Sequence, residues 1–279
     1  MRFSHLLAGG LCLAAAAPAL AQEETAPPSP ITVSGSVSVL TDYRLRGISQ
    51  TNKNAAVQGA LTIAHESGIY IGTFASNLAG WGTFGGANME LDAIGGWKKT
   101  FGSATTDVGV TWYTYPGGAS ESDVVEFFGR LSGTAGPATL TAGVYYAPKQ
   151  TSLGYFTASA TPFVAGDGTR RDNLYLTGDG TVGIPGTPIT AKAHIGYSKG
   201  NKGLGPNGTS LAPTGKYWDW SLGADVAFYK NLTFNVSYVD TDIGDSESAY
   251  LRPNLSKGQV DGGASITDPT VVFSITAAF

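Results

Sequence analysis

The last ten residues of the chain alternate. Val271, Phe273, Ile275, Ala277 and Phe279 are apolar, and the residues between them, Val272, Ser274, Thr276 and Ala278, are mostly small or polar. A period of two marks a β-strand with unlike faces. A strand this apolar makes a poor free edge, because unpaired edges invite aggregation. The first strand of the chain is the natural partner, and that pairing closes a sheet into a barrel. This first strand, over 31–44, sets Ile31, Val33, Val37, Val39 and Tyr43 on one face. Thr32, Ser34, Ser36, Ser38, Asp42 and Arg44 share the other, with Leu40 the exception. An apolar face against a hydroxyl-rich face is the lipid-out, water-in pattern of a barrel wall.

The same pattern predicts further strands over 55–65, 69–77, 88–98, 105–115, 124–131, 138–146, 173–179, 189–198, 217–228, 232–240 and 270–279. The fold class expected is all-β: a transmembrane antiparallel up-and-down β-barrel of about 12 strands. The segment 173–179 is the shortest. Outward positions include Met89, Leu91, Trp97, Val108, Trp112, Val125, Phe127, Leu131, Ile195, Trp218 and Leu222. Inward positions carry the charge: Glu90, Asp92 and Lys98; Asp107; Glu126 and Arg130; Asp179; Lys192 and His194; Asp219 and Asp225.

The connections alternate in length. Those at 45–54, 78–87, 116–123, 147–172, 199–216 and 242–268 are longer, at nearly every step, than those at 66–68, 99–104, 132–137, 180–188 and 229–231. Long structureless loops are uncommon in compact soluble domains. Long loops outside and tight turns in the periplasm are what a bacterial barrel needs. An even strand number puts both termini at the turn end. Tyr43, Trp112, Tyr146, Tyr197 and Trp218 then fall outward near the loop end, and Trp97 and Phe279 outward near the turn end. Amphipathic rings gather at the two bilayer interfaces.

The N-terminus sets the compartment. Met1-Arg2, the apolar stretch 6–17 and Ala19-Leu20-Ala21 form the basic, apolar and cleavage regions of a secretory signal peptide over 1–21. Cys12 lies inside it, and Leu11 stands where a lipoprotein needs a small residue. The mature chain then has no cysteine, which excludes disulfides and thiol catalysis. Loss of Arg2 takes the formal charge from −4 to −5. No basic patch points to nucleic acid. Residues 22–30, acidic and then Pro-rich, read as a periplasmic lead-in to a barrel over 31–279.

The segment Asp42-Tyr43-Arg44-Leu45-Arg46-Gly47-Ile48-Ser49-Gln50-Thr51, followed by Ala56-Val57-Gln58-Gly59, resembles the opening of the TorF-type porin family of proteobacteria. His65-Glu66-Ser67-Gly68-Ile69-Tyr70, Glu90-Leu91-Asp92, His194-Ile195-Gly196-Tyr197-Ser198, Tyr217-Trp218-Asp219-Trp220 and Ser237-Tyr238-Val239-Asp240-Thr241-Asp242 also fit. The resemblance runs with gaps over most of the mature chain. It implies an outer-membrane barrel inferred to be a channel, and it supplies no catalytic residues.

The candidate chemistry is that of a pore. Asp42, Arg44 and Arg46 cluster at the top of the first strand, as a constriction folded into the mouth or as a salt-bridged rim. The lumen charges Arg44, Glu90, Asp92, Asp107, Glu126, Arg130, Lys192, His194, Asp219 and Asp225 are the selectivity candidates, because charged rings set ion preference. Acids exceed bases among them, which suggests a weak cation preference unless they pair and fill the lumen. His194 and Ser198 share a strand face but lie about 13 Å apart along it. That is too far for a nucleophile and its base, and no enzyme activity is expected. The letters of GxGxxG at 178–183 precede Pro185 and Pro188 rather than a helix, so no dinucleotide site is expected. Asp167, Asp242 and Asp245 match no calcium-binding spacing and read as solvated loop. Neither a metal nor a cofactor is implied.

The expected partners are outer-membrane lipid, the barrel-assembly machinery (which would read Phe279) and small hydrophilic solutes or ions. Two functions fit. One is passive diffusion through a porin, with loops 147–172 and 242–268 over the mouth. The other is a non-conducting structural or adhesive barrel acting through those loops. The oligomeric state is left open.

Overall fold

A computed structural model describes residues 30–160, 163–244, 247 and 266–279. The leader, most of the lead-in, Asp245 and most of 242–268 lie outside the described residues. Twelve strands form the wall: β1 (Ile31–Leu40), β2 (Ala56–His65), β3 (Ile69–Asn77), β4 (Met89–Phe101), β5 (Ala104–Thr114), β6 (Val124–Ala135), β7 (Ala138–Gln150), β8 (Arg171–Gly183), β9 (Ile189–Lys202), β10 (Thr214–Tyr229), β11 (Leu232–Thr241) and β12 (Thr270–Ala278). Each pairs antiparallel with the next, and β12 closes on β1.

The seam runs from Leu40↔Ser274 to Ser36↔Ala278. Two reciprocal backbone bonds between Gly35 and Phe279, 2.8 and 2.9 Å, finish it. Gly35 has the outward parity of Val33 and Val37, and the Phe279 ring lies over it. A Cβ on Gly35 would stand 2.6 Å from Phe279 Cζ and 2.8 Å from the Ala60 carbonyl oxygen. A residue without a side chain therefore lets the terminal aromatic seat on the seam.

Alternation sorts the wall as expected. Val33, Val57, Ile71, Phe127, Leu140, Ile195, Leu222 and Phe273 are exposed on the outside. Glu90, Asp92, Asp107, Glu126 and Asp219 are buried inside. This inverts the soluble-protein arrangement, and the outer surface is one that a bilayer would cover. Trp112, Tyr146 and Trp218 are exposed near the loop end, as their parity predicts.

Strand ends differ more. β8 runs from 171 to 183, well beyond the expected 173–179, because both of its edges pair with neighbouring strands, β7 and β9, over nearly all of that length. β1 stops at Leu40 instead of 44. Thr41 still bonds to Phe273, through its backbone N–H to the Phe273 carbonyl. After that the chain leaves the wall and folds into the barrel. Tyr43 therefore does not face outward. It is 5% exposed, inside, since parity along a strand has no meaning once the strand has ended.

Inside, Arg44–Leu45 pairs with Ile48–Ser49. The two residues between, Arg46 (φ 51°) and Gly47 (φ 79°), both take positive φ, as a tight hairpin turn of the I′ type requires. A Cβ on Gly47 would collide with Thr241 Cγ2.

Gly35→Val should weaken barrel closure by about 1–3 kcal/mol through overpacking. Gly59→Val, where a Cβ meets nothing within 4 Å, should be tolerated. Urea unfolding of the refolded barrels, read by the gel shift between folded and heated forms, checks both.

Candidate functional site

The inward-folded loop 41–55 is a plug, and ion pairs pin it. Asp42 accepts Arg44 Nε at 2.7 Å, Ser49 Oγ at 2.5 Å and Thr51 Oγ1 at 3.2 Å. Arg44 Nη1 donates to the carbonyls of Gly47 and Asp268, at 2.9 and 2.8 Å. Arg46 reaches across the lumen. Its Nη2 donates to Glu126 Oε1 on β6 at 2.5 Å, and its Nη1 to Asn173 Oδ1 on β8 at 2.8 Å. Its guanidinium lies 4.1 Å over the Tyr175 ring, and Tyr113 Oη donates to the other Glu126 oxygen. Tyr43 Oη donates to Glu90 Oε1 at 2.7 Å. Burial, and then the Glu90 carboxylate, push the Tyr43 phenol well above its ordinary range, so it stays a donor.

Above the plug, the loop 203–213 reaches over from β9 and β10. Its Gly208 carbonyl accepts Trp81 Nε1 at 3.0 Å, its Asn207 carbonyl accepts the Gly85 N–H, and its Asn207 amide donates to Ser120. These partners sit on the β3–β4 and β5–β6 loops. Trp81, Phe84 and Tyr115 pack edge to face beneath, with centroids 5.1 and 4.9 Å apart. The loop end is thus covered by an ordered layer of its own. Residues 151–160 join it through the bonds of Phe156 and Thr157 to Leu204.

Two clusters line the wall below. On one side Asp107 accepts Tyr70 Oη at 2.9 Å and Arg130 Nη2 at 2.6 Å. On the other, the His194 ring lies between two carboxylates, Asp179 at 2.7 Å from Nδ1 and Asp219 at 3.0 Å from Nε2. Tyr175 Oη donates to Asp219, and Lys192 pairs with Asp225 at 3.3 Å. Between the plug and the turn end lies a chamber of about 350 Å³, bounded by β8–β12, β1–β3 and the plug. It extends from Arg46 and Gly47 to Pro188, Ala227 and Ala278.

With this geometry in view, the chain can be compared with known proteins. A family model described as a bacterial protein of unknown function, Gcw_chp, matches residues 24–279. The chain belongs to this family. Among curated proteins none matches it. Two solved barrels resemble this Gcw_chp protein in fold. One is the NanC porin in a rhombohedral crystal form, with TM-score 0.51 and 10% identity, covering 89% of this chain and 99% of that one. The other is the KdgM porin in complex with disordered oligogalacturonate, with TM-score 0.51, 7% identity and the same coverage.

The Gcw_chp lumen holds all of the charged candidates read from the sequence. Asp42, Arg44 and Arg46 form the plug, on the inward-folded loop 41–55, rather than an exposed rim. Glu90, Asp92, Asp107, Glu126 and Asp219 are buried. Arg130, Lys192, His194 and Asp225 are half-buried and paired. His194 and Ser198 are not brought together, since Ser198 Oγ donates to the Leu211 carbonyl. Residues 178–183 lie within β8. Asp167 is held by the hydroxyl and N–H of Thr169 and by Arg171, and the Thr169 bonds lower its pKa. Asn173 and Tyr175 escaped the sequence reading. Their inner parity on β8 was visible, but the guanidinium they hold comes from a loop.

Arg46→Ala should destabilise the Gcw_chp barrel by about 3–5 kcal/mol, because it strands a buried carboxylate. Arg46→Ala combined with Glu126→Ala should cost less than the single change. Unfolding of both in detergent micelles checks this.

Proposed function

We propose that this chain is an outer-membrane channel of the porin type, passing small hydrophilic solutes or ions. The observation that carries the reading is a closed twelve-stranded barrel with an apolar outside and a charged inside. Long connections at one end and the signal peptide read at 1–21 support it. So do the likeness of 42–51 to the TorF-type porins and the two porins of similar fold. The seat of Phe279 on the seam suits a terminal residue read by the assembly machinery.

The charges favour a weak cation preference. Most lumen acids have a basic partner, but Glu90 and Asp92 have none within ion-pair range among the described residues. Both are fully buried, so the acidic excess that an entering ion meets is Asp179 with Asp219, two carboxylates on the one ring of His194. A second reading rests on the plug and the covered mouth. If those stay in place, the barrel does not conduct, and its loops carry the function.

Single-channel recording of the refolded chain 22–279 in a planar bilayer with a salt gradient separates the two. Discrete steps with a cation-shifted reversal potential are expected. Asp179→Asn should move that potential toward zero. A folded barrel without steps would overturn the channel reading, and an unmoved potential would overturn the cation preference.

A further inference from the structure

The outer wall carries a charge pattern that conduction does not need. Tyr197 on β9 stands opposite Trp218 on β10, and two residues further toward the loop end Lys199 stands opposite Lys216. All four share the outward parity of Ile195 and Leu222, and both lysines are exposed. The two rings pack with centroids 4.8 Å apart. Two residues along a strand span roughly 6.6 Å, so the lysines sit just above the aromatic pair. Outward rings near a strand end mark the level of the bilayer interface. The ammonium groups therefore reach the depth of the lipid headgroups, on the loop side. Below the rings the same two strands are apolar and exposed, at Ala193, Ile195 and Leu222.

Like charges directly opposite on one sheet face repel, and their Cβ atoms lie only about 5 Å apart. Among the described residues no acid forms an ion pair with either lysine. The acids at the ends of the flanking strands are bonded elsewhere. Asp172 accepts Tyr146 Oη at 2.9 Å, Asp240 accepts Tyr238 Oη at 2.8 Å, and Asp242 accepts the Trp218 N–H at 2.7 Å. An anion lying between the two lysines would relieve their repulsion. A phosphate suits the place, since it has oxygens enough to accept from both. The turn end shows no such pair: the outward Lys99 stands opposite Thr106.

The loop end of an outer-membrane barrel faces a leaflet of phosphorylated glycolipid. We propose that Lys199 and Lys216 bind a phosphate of that glycolipid, with its acyl chains lying down the wall over Tyr197, Trp218 and Ile195. This needs the outer-membrane placement with the long loops outside, and it does not need an open lumen.

The test uses the refolded chain 22–279 in micelles of an uncharged detergent. EDTA is present, so that no divalent cation joins a phosphate to Asp172 or Asp240. Native mass spectrometry follows the lipid retained as the barrel is titrated with bisphosphorylated lipid A or with the same lipid stripped of both phosphates. Lipid A should half-saturate one site at a concentration about tenfold lower than its stripped form. Lys199→Gln combined with Lys216→Gln should remove that advantage. Lys99→Gln, which takes away the outward cation at the turn end, should keep it. The gel shift between folded and heated forms shows that each variant is folded. Inorganic phosphate in excess should not displace the lipid. Equal binding of the two lipids would overturn the proposal, as would an advantage unchanged in the double variant or lost equally in Lys99→Gln. Displacement by inorganic phosphate would also overturn it, by making this a site for a free anion. Ion steps across a bilayer depend on none of these outcomes, so lipid binding and conduction fail separately.

Discussion

Everything in this molecule depends on sheet closure. A strand in hydrocarbon cannot leave N–H and C=O groups unpaired, because no water is there to take them. Only a sheet without edges meets that condition. The two strands that would be edges, β1 and β12, lie at opposite ends of the chain and are joined by five wall pairs and the Gly35–Phe279 bonds. The residues outside those pairs are constrained in turn. Gly35 is small because the terminal ring covers it, and the outward positions of both strands are apolar because lipid would meet them.

Closure creates the second problem, an interior. A barrel of this size encloses more space than its inward side chains fill. Part is filled from the side, where the tilted rings of Phe128, Tyr145 and Tyr175 pack in from neighbouring strands. The rest is filled by chain. The first long connection turns inward and carries two arginines into a lumen already rich in carboxylates. Charges here are costly unless paired, and the pairs that form are short and buried. The plug is therefore held by the same acids that the wall supplies. Its tip, Arg46-Gly47, fits only because glycine lets the backbone approach Asp219 and Thr241.

The strand count, the order of the strands, the long and short ends and the inward set of charges were all legible in the chain. Each follows from a period of two, and the period is local. Glu90, Asp92, Asp107, Glu126, Asp219 and Asp225 could be assigned to the lumen without knowing their neighbours. Tyr43 could not be placed, because its position turns on where β1 stops. Leu40, breaking the alternation just before it, was the only local sign. The partners of Arg46 were equally hidden, for Glu126 and Asn173 lie 80 and 127 residues away along the chain.

The sequence by itself thus determined the wall: twelve alternating segments, apolar toward lipid and charged toward the interior, with the start of β1 and the end of β12 at the short-turn end. It could do so because a strand's faces are set by neighbouring residues and by the solvent each face meets. Tertiary structure decided what fills the wall. It chose which long loop enters and which acid meets which base. Those outcomes depend on distances across a closed ring, which no local pattern records.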